Sequence, residues 1–332
     1  MNIRPAEKTD IPAIVGLLKL SLGELIPKSE DYWRWKHIDN PFGVSPVLLA
    51  FESDKLVGVR AFMRWNWQVG KDVYETVRAV DTATHPDHLR KGIFSKLTLM
   101  LLEQCKKEGV DFVFNTPNQS SKPGYLKMGW EVAGKLPVSI KCKKPVSIIM
   151  HAAGLKTNSL TAISDNSSLT YFLDSPKLEG LLIRDRANQP FISTQLSVEF
   201  LRWRYKHVKV VDYFAAGLET NDQLRALVLY RIKPGKAGIE LRITDVFIES
   251  PIFRKEVAIM INERVESHNV EYMTVSATHR WIFTGLMSLN SLKVGPIVTI
   301  RNLKNGPMER LLGFRDCPSG QLPAISEAAP VR

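Results

Sequence analysis

The hydrophobic positions of the first 140 residues change period several times, and each change predicts a different element. After a short strand at Asn2 to Pro5, apolar residues recur at helical spacing from Ile11 to Leu22. An aromatic helix pattern follows at Asp31 to Ile38, and helices are also expected from Ile93 to about Glu108 and within 116–128. Runs rich in β-branched residues predict strands at 47–52, 56–63, 73–84 and 112–115. This order predicts a mixed sheet with helices on both faces.

The stretch from Arg78 to Leu97 has the pattern of an anion-binding turn. Its strand must end at His85-Pro86, because proline has no amide donor, and helical spacing begins at Ile93. A helix N-terminus presents unpaired amides and the positive end of its dipole, and Gly92 lets a ligand approach the backbone closely. On spacing alone, a basic turn that opens a surface helix is an equal alternative.

The second half of the chain echoes the first. The segment Trp33 to Ile38, WRWKHI, reappears at Trp203 to Val208 as WRYKHV, and strand patterns follow both copies. Where the first copy has its anion-binding turn, the second has Glu249 to Glu256, without glycine and with acidic ends, and is not expected to bind the same ligand. The second copy could form one wall of a cleft, or it could only add a stabilising core. We predict a first domain at 1–145, a linker at 146–168, a second domain at 169–316 and a loosely ordered tail at 317–332.

Composition and charge narrow the class of protein. The 332 residues are 44% hydrophobic and can bury a large core, but no apolar run approaches the length of about 20 residues that crosses a bilayer. The three cysteines are far apart, which predicts neither a disulfide framework nor a metal site. The net charge of +11 is spread over both halves and does not favour a nucleic-acid partner. We therefore expect a cytoplasmic protein with no membrane or metal partner.

Three segments, in this order, resemble the GNAT superfamily of N-acetyltransferases. IRPAEKTDIPAIVGLL resembles the family's opening strand and helix, HPDHLRKGIFSKL its coenzyme A pyrophosphate loop, and NQSSKPGYLKMGW its closing signature. The resemblance covers about residues 1–140 and, with the repeat, implies an α/β fold of two tandem GNAT-like domains with mixed, mostly antiparallel sheets. The loop departs from the family pattern at Leu89, usually polar, and at Phe94, usually small. The loop can hold a pyrophosphate if Phe94 points into the core, and it cannot if the Phe94 ring fills the place of the phosphates.

The resemblance also implies acetyl-CoA as co-substrate and assigns functions to residues. Main-chain amides at Ala83 and Thr84 would hold the thioester carbonyl, and Tyr125 would protonate or orient the leaving thiolate. A phenol with a pKa near ~10 suits an acid toward a thiolate but is a poor base at neutral pH. A core tyrosine is the alternative. The other expected coenzyme contacts are Asn118 and the loop residues Leu89, Arg90, Lys91, Gly92, Ile93, Phe94 and Ser95.

The general base and the acceptor site are less closely specified. Asp81 lies on the strand that enters the cleft and could take the amine's proton through water, with His85 as a rival. A salt-bridge role for Asp81 is the alternative. Trp35, Asn40 and Phe42 lie in the segment that flanks the acceptor in this superfamily, and core packing is the alternative for them.

The predicted function is acetyl-CoA-dependent transfer of an acetyl group directly to a primary amine, which belongs to a small amine, an amino sugar or a peptide. The even basic charge gives a slight preference for an acidic or phosphorylated acceptor. A catalytically degenerate GNAT-like protein that binds acyl-CoA or serves as a scaffold is the alternative. Whether the chain forms a homodimer is left open.

Overall fold

The computed structural model describes residues 1–24, 27–155, 167–187, 192–235, 237–283, 288–292 and 295–304, without the side chains of 277, 278 and 288–292. The centre of the predicted linker and the whole predicted tail at 317–332 lie outside the described residues. Within them, no helix is long and apolar enough to span a membrane. The same residues include no group of three or more His, Cys, Asp or Glu side chains that could hold a metal ion.

The first half of the chain alternates strands and helices in the predicted order. Its helices are α1 (Ile11–Leu22), α2 (Glu30–His37), α3 (Ile93–Lys107) and α4 (Lys122–Lys127). Its strands are β1 (Asn2–Pro5), β2 (Val47–Glu52), β3 (Lys55–Val69), β4 (Asp72–Thr84), β5 (Phe112–Asn115), β6 (Glu131–Lys135) and β7 (Val138–Cys142).

The second half also combines helices with strands. Its helices are α5 (Pro145–Ala152), α6 (Ser167–Asp174), α7 (Lys177–Ala187), α8 (Val198–Leu201), which continues as a π-helix at Arg202–Lys206, and α9 (Arg254–Ser267). Its strands are β8 (Ser193–Thr194), β9 (Phe214–Thr220), β10 (Gln223–Gly235), β11 (Gly238–Ile248), β12 (Tyr272–Ser276), β13 (Ser288–Leu292) and β14 (Ile297–Asn302).

Two mixed sheets form the framework. One has the order β1-β2-β3-β4-β5-β14-β6, with β8 also paired to β3, and the other has the order β13-β7-β12-β11-β10-β9. The pairs β4–β5 and β11–β12 are parallel, and the other pairs are antiparallel. Helices lie on both faces, so the predicted α/β fold with two mixed sheets is confirmed.

The sheets exchange strands between the two halves. Strand β7, within the predicted first domain, pairs with β12 and β13 of the second sheet. Strand β14, within the predicted second domain, lies between β5 and β6 of the first sheet. The division of the chain at residue 145 stays a prediction, but neither sheet is built from one of the predicted domains alone.

Close packing on both faces of the first sheet holds the helices in place. Helix α3 lies so near β3 that a Cβ atom at Gly58 would stand 2.5 Å from Cγ2 of Ile93, which explains the glycine there. On the other face, α1 buries Ile14 and Leu18 against Val59 of β3. A further core cluster includes side chains from both halves, such as Trp65 and Phe200, so the halves share one hydrophobic core.

The repeat is present, but its register differs from that of the matching sequence strings. Ser29 caps α2 by accepting a hydrogen bond from the Tyr32 amide, and Ser197 caps α8 by accepting one from the Phe200 amide. Trp35 and Trp203 stand 168 residues apart, and each indole N–H donates to the other's carbonyl oxygen at 2.7 Å. Equivalent positions in these helices thus differ by 168 residues, not by the 170 that the matching strings gave.

Candidate active site

The site begins where β4 and β5 separate. These strands pair at only three positions, the last being Arg78 with Phe114, and β5 ends at Asn115 while β4 continues to Thr84. From residue 79 to 84, the described part of the chain gives β4 a partner strand only on the β3 side, where Ala83 pairs with Val59. The predicted oxyanion positions Ala83 and Thr84 therefore lie on a strand that borders an opening.

A β-bulge at Asp81 reshapes β4 beside this opening. The pairing with β3 shifts between Arg60 and Ala61, and Asp81 has a φ of 39°, in the left-handed region. Its carboxylate contacts the Lys36 ammonium at 2.6 Å and Nε2 of His37 at 2.8 Å. The other ring nitrogen of His37 lies 2.9 Å from the Ser45 hydroxyl. Asp81 is thus fixed by partners from α2.

The contacts of Asp81 determine its basicity. Burial alone would raise the pKa of this carboxyl group, but the Lys36 ammonium and the His37 ring together bring the pKa well below its ordinary value. Burial lowers the pKa of His37 from its ordinary value, although Asp81 acts in the opposite direction. At neutral pH, therefore, Asp81 is an anion with low basicity and His37 is neutral.

The predicted coenzyme loop precedes α3. A short turn at Pro86–His88 follows the strand, Arg90 and Gly92 take positive φ values of 62° and 74°, and the helix begins at Ile93. Within the described residues, the amides of positions 90–95 have no protein acceptor. These groups and the helix dipole form a ready site for an anion. Leu89, the first departure from the family pattern, is 59% exposed.

Phe94, the second departure, is turned toward the protein interior. Its ring is half-buried and meets the Tyr125 ring edge-on at a centroid distance of 5.5 Å. It also packs so close to Gly124 that a Cβ atom there would stand 3.1 Å from the ring. The bulky side chain is accordingly part of the contact between α3 and α4.

Tyr125, the predicted acid, is 4% exposed and is positioned by a buried arginine. Nη2 of Arg60 donates to the Tyr125 hydroxyl oxygen at 2.9 Å, and Nη1 donates to the Thr82 hydroxyl. Because the phenol oxygen accepts from Arg60, its own O–H must point in another direction. The ring of Phe94 lies 5.5 Å from the Arg60 guanidinium carbon.

Residues of β14, from the second half of the chain, contact the end of α4 and the end of β5. Arg301, on the inserted strand β14, donates to the carbonyl oxygen of Met128 at the end of α4 and lies 5.5 Å from the Trp130 ring. Thr299 donates to the side-chain oxygen of Asn115 at the end of β5. Residues from both halves therefore shape the walls of the opening.

The other predicted site residues are dispersed. Asn118 is exposed, and its side chain accepts from the Ser121 amide at 2.8 Å, which caps the turn into α4. His85 accepts from the Asp87 amide at 3.3 Å. The predicted roles of these residues in binding and proton transfer stay predictions.

Two of the three predicted acceptor residues pack against the second half. The Trp35 ring stacks on Trp203 at 4.7 Å, and Phe42 lies 5.2 Å from the Phe200 ring. Asn40 is buried within the first half and donates to the Arg64 carbonyl oxygen at 2.9 Å. An acceptor role for these three residues stays a prediction.

Sequence reasoning missed four charged or titratable residues that define the site, namely Lys36, His37, Arg60 and Arg78. Arg60 and Arg78 are both 1% exposed. Each is a lone cation in an apolar strand run, GVRAF and TVRAV, and arginine is almost never buried without a partner. An arginine within an apolar strand run was therefore the signal in the sequence that could have identified Arg60 and Arg78.

Part of the chain matches a known protein family. Residues 2–133 match the family model described as the acetyltransferase (GNAT) domain. No curated protein matches the sequence closely enough to count as a relative. At 12% identity, a GCN5-related N-acetyltransferase from Anabaena variabilis superposes with a TM-score of 0.65, covering 91% of this chain and 73% of its own.

Two further solved structures are similar, both at 12% identity. A probable N-acyltransferase from Enterococcus faecalis gives a TM-score of 0.62 over 91% of this chain and 72% of its own. Eis1 from Mycobacterium abscessus gives 0.55 over 92% of this chain and 74% of its own. At this identity the likeness shows the fold alone, and it extends over both halves of the chain.

Proposed function

We propose that this chain, whose residues 2–133 belong to the GNAT superfamily of acetyltransferases, transfers an acetyl group from acetyl-CoA directly to a primary amine. The observation that carries the proposal is the loop before α3, where the amides of positions 90–95 have no protein acceptor within the described residues and Phe94 is turned away. This arrangement fits a pyrophosphate, because backbone amides bind phosphate oxygens without help from the Leu89 or Phe94 side chains.

The chain's own residues supply the groups that acyl transfer requires. When bound, acetyl-CoA supplies a thioester with an acyl carbon open to attack and a thiolate that can leave. A main-chain amide at Ala83 or Thr84 would donate to the oxygen that becomes negative during attack. Tyr125 would donate its proton to the departing sulfur, and Arg60 directs the hydroxyl by occupying its acceptor site.

The predicted base, Asp81, has a narrower role in this proposal. Its low pKa makes it a poor acceptor of a proton from a free ammonium ion. Its carboxylate, however, borders the opening and can accept a hydrogen bond from a neutral acceptor amine. We propose that Asp81 orients the amine in this way, and that water, not Asp81, takes up the proton that the amine loses.

The proposal is tested by binding and turnover with the full chain. Saturating acetyl-CoA should raise the melting temperature, because a ligand that binds only the folded state stabilises it by mass action. A panel of small amines, amino sugars and peptide amines should include at least one that releases free thiol from acetyl-CoA. No shift in melting temperature would refute the proposal.

A shift in melting temperature without turnover for any class of amine would instead favour the catalytically degenerate alternative. The identity of the amine, a cytoplasmic location and a homodimer stay predictions. Members of the GNAT family act on small-molecule or peptide acceptors, so both classes belong in the panel.

A further inference from the structure

Arg78 lies at the floor of the opening, on the side of the sheet that faces the second half. It is the last residue of β4 that pairs with β5, and its side chain is 1% exposed. Its neighbour in sequence, Val77, packs in the core on the α3 side of the sheet. Because side chains alternate along a strand, Arg78 points to the opposite side, where the second half packs.

The guanidinium group of Arg78 has too few acceptors for a buried cation. Its one hydrogen bond in the described structure is a long one, 3.4 Å from Nη2 to the Thr116 hydroxyl. Nε and Nη1 are buried without a hydrogen-bond partner. Buried donors without acceptors are costly, and natural proteins rarely keep them unless a ligand or water completes the set.

The charges around Arg78 do not balance it. Arg204 of the second half is 2% exposed, and burial together with the Arg204 charge lowers the pKa of Arg78 to about 9. Arg78 still carries its charge at neutral pH. Asp81 and Tyr32 also face it, but the Asp81 carboxylate already contacts Lys36 and His37. Asp81 therefore does not supply the acceptors that Arg78 lacks.

We propose that Arg78 is the binding site for an acid group, a carboxylate or a phosphate, on the acceptor. The acceptor is then an amine that also carries an anion, held with its acid group at the floor of the opening and its amine toward Asp81 and Tyr125. This inference rests on the proposed function of the same site. It accounts for the unsatisfied donors, because a carboxylate or phosphate offers several oxygen acceptors to one guanidinium.

The first test measures anion binding without acetyl-CoA. Sodium acetate or inorganic phosphate should raise the melting temperature of the full chain above that in sodium chloride of equal ionic strength. The rise should be smaller in Arg78→Gln, which keeps the general salt effects and the amides before α3 that can bind phosphate. It should be unchanged in Arg64→Gln, because Arg64 pairs with Glu108 away from the opening. Comparing the two anions separates a carboxylate site from a phosphate site.

General salt effects do not affect this test, because only the difference between the wild type and Arg78→Gln counts. An equal response of both proteins to acetate and to phosphate would overturn the proposal. It would indicate that water satisfies Arg78.

The second test uses matched acceptors in turnover. An amino acid is compared with its amide, and an aminoalkyl phosphate with the corresponding amino alcohol. In the wild type, kcat/KM should be about 10- to 100-fold higher for the member with the acid group, the usual worth of a hydrogen bond to a charged group. Arg78→Gln should reduce this ratio to near one by raising KM for the acidic member alone.

Arg78→Lys serves where Arg78→Gln does not fold, since it keeps the charge and should keep part of the ratio. A wild-type ratio of one, or a ratio that neither variant changes, would overturn the inference. If no amine is acetylated and acetyl-CoA does not bind, the proposed function fails, and the stabilisation by anions alone then decides whether Arg78 binds an acid group.

Discussion

The two halves of the molecule share one framework and differ just before the helices α3 and α9, which follow β4 and β11. The turn between β2 and β3 and the turn between β9 and β10 each have two residues with positive φ, Ser53-Asp54 and Asn221-Asp222. In the first half, residues 89–92 separate the turn at Pro86–His88 from α3. In the second half, the turn at Pro251–Phe253 continues directly into α9 at Arg254. The fold therefore persists without the loop, which supports the proposal that the loop binds a ligand.

The same contrast holds for the buried cation beside the predicted acid. Arg60 on β3 donates to Tyr125, whereas the equivalent position 168 residues later is Val228, in an apolar core against α9. A buried arginine costs stability unless it is paired, and at this position the second half has an apolar residue instead. The comparison therefore supports the proposed role of Arg60 beside Tyr125.

Removing the loop is expected to give the largest effect. Deleting residues 89–92 makes the first half resemble the second, and the variant should show no rise in melting temperature with acetyl-CoA and no measurable thiol release. The wild type at 100 times its Kd should gain about 2.7 kcal/mol from the ligand. Ile252→Ala, a change of an exposed residue in the corresponding turn, is the control and should retain both signals. A deletion variant that folds and still binds acetyl-CoA would disprove the role of the loop.

Removing the hydroxyl of Tyr125 should have the next largest effect. Tyr125→Phe should reduce kcat by about 100- to 1,000-fold, within the usual range for loss of a general acid, while acetyl-CoA still raises the melting temperature. Steady-state thiol release and thermal unfolding check the two parts. Tyr171→Phe, at an exposed position in the second half, should change neither. An unchanged kcat in Tyr125→Phe would identify Tyr125 as a core residue.

Replacing the arginine that positions Tyr125 tests the comparison more finely. Arg60→Val installs the residue of the second half, and kcat should fall by about 10-fold because the Tyr125 hydroxyl loses the donor that directs it. Arg60→Lys should restore part of the lost kcat. A loss of stability without a change in kcat would make Arg60 a packing residue.

Much of the fold was predictable from the sequence, because the spacing of apolar residues along a segment indicates whether it forms a helix or a strand. The strand at 112–115 and the helix that begins at Ile93 agree with β5 and α3. The insertion of β14 between β5 and β6 was not predictable, since pairing between distant segments leaves no periodic signal in either. The repeat register failed for a related reason. Identical letters aligned Trp33 with Trp203, whereas caps and contacts align Trp35 with Trp203.

The candidate site was predictable only in part. The loop and Tyr125 could be located by resemblance and spacing. The roles of Arg60 and Arg78 depend on which side chains meet across strands, and the partners of Asp81 depend on a bulge that the alternation does not reveal.

The smallest expected effect concerns the side chain that contacts an aspartate of β4 in the first half and an aspartate of β11 in the second half. In the first half His37 contacts Asp81, and 168 residues later the Tyr205 hydroxyl donates to Asp245. Burial lowers the pKa of His37, so the unfolded chain takes up a proton near its ordinary pKa of about 6.5 while the folded chain does not. Stability that is fully present above this pH is therefore lost as the pH falls.

The measurement is the free energy of unfolding of the wild type and of His37→Asn between pH 6.5 and 5.5. The wild type should lose up to about 1 kcal/mol more than the variant over this range, because other histidines contribute equally to both proteins and cancel. Tyr205→Phe provides the matched control. Burial raises the pKa of Tyr205 well above its ordinary value, so this phenol stays protonated throughout and its removal should lower the free energy of unfolding equally at both pH values. Parallel pH profiles for wild type and His37→Asn would show that His37 is as easily protonated in the folded chain as in the unfolded one.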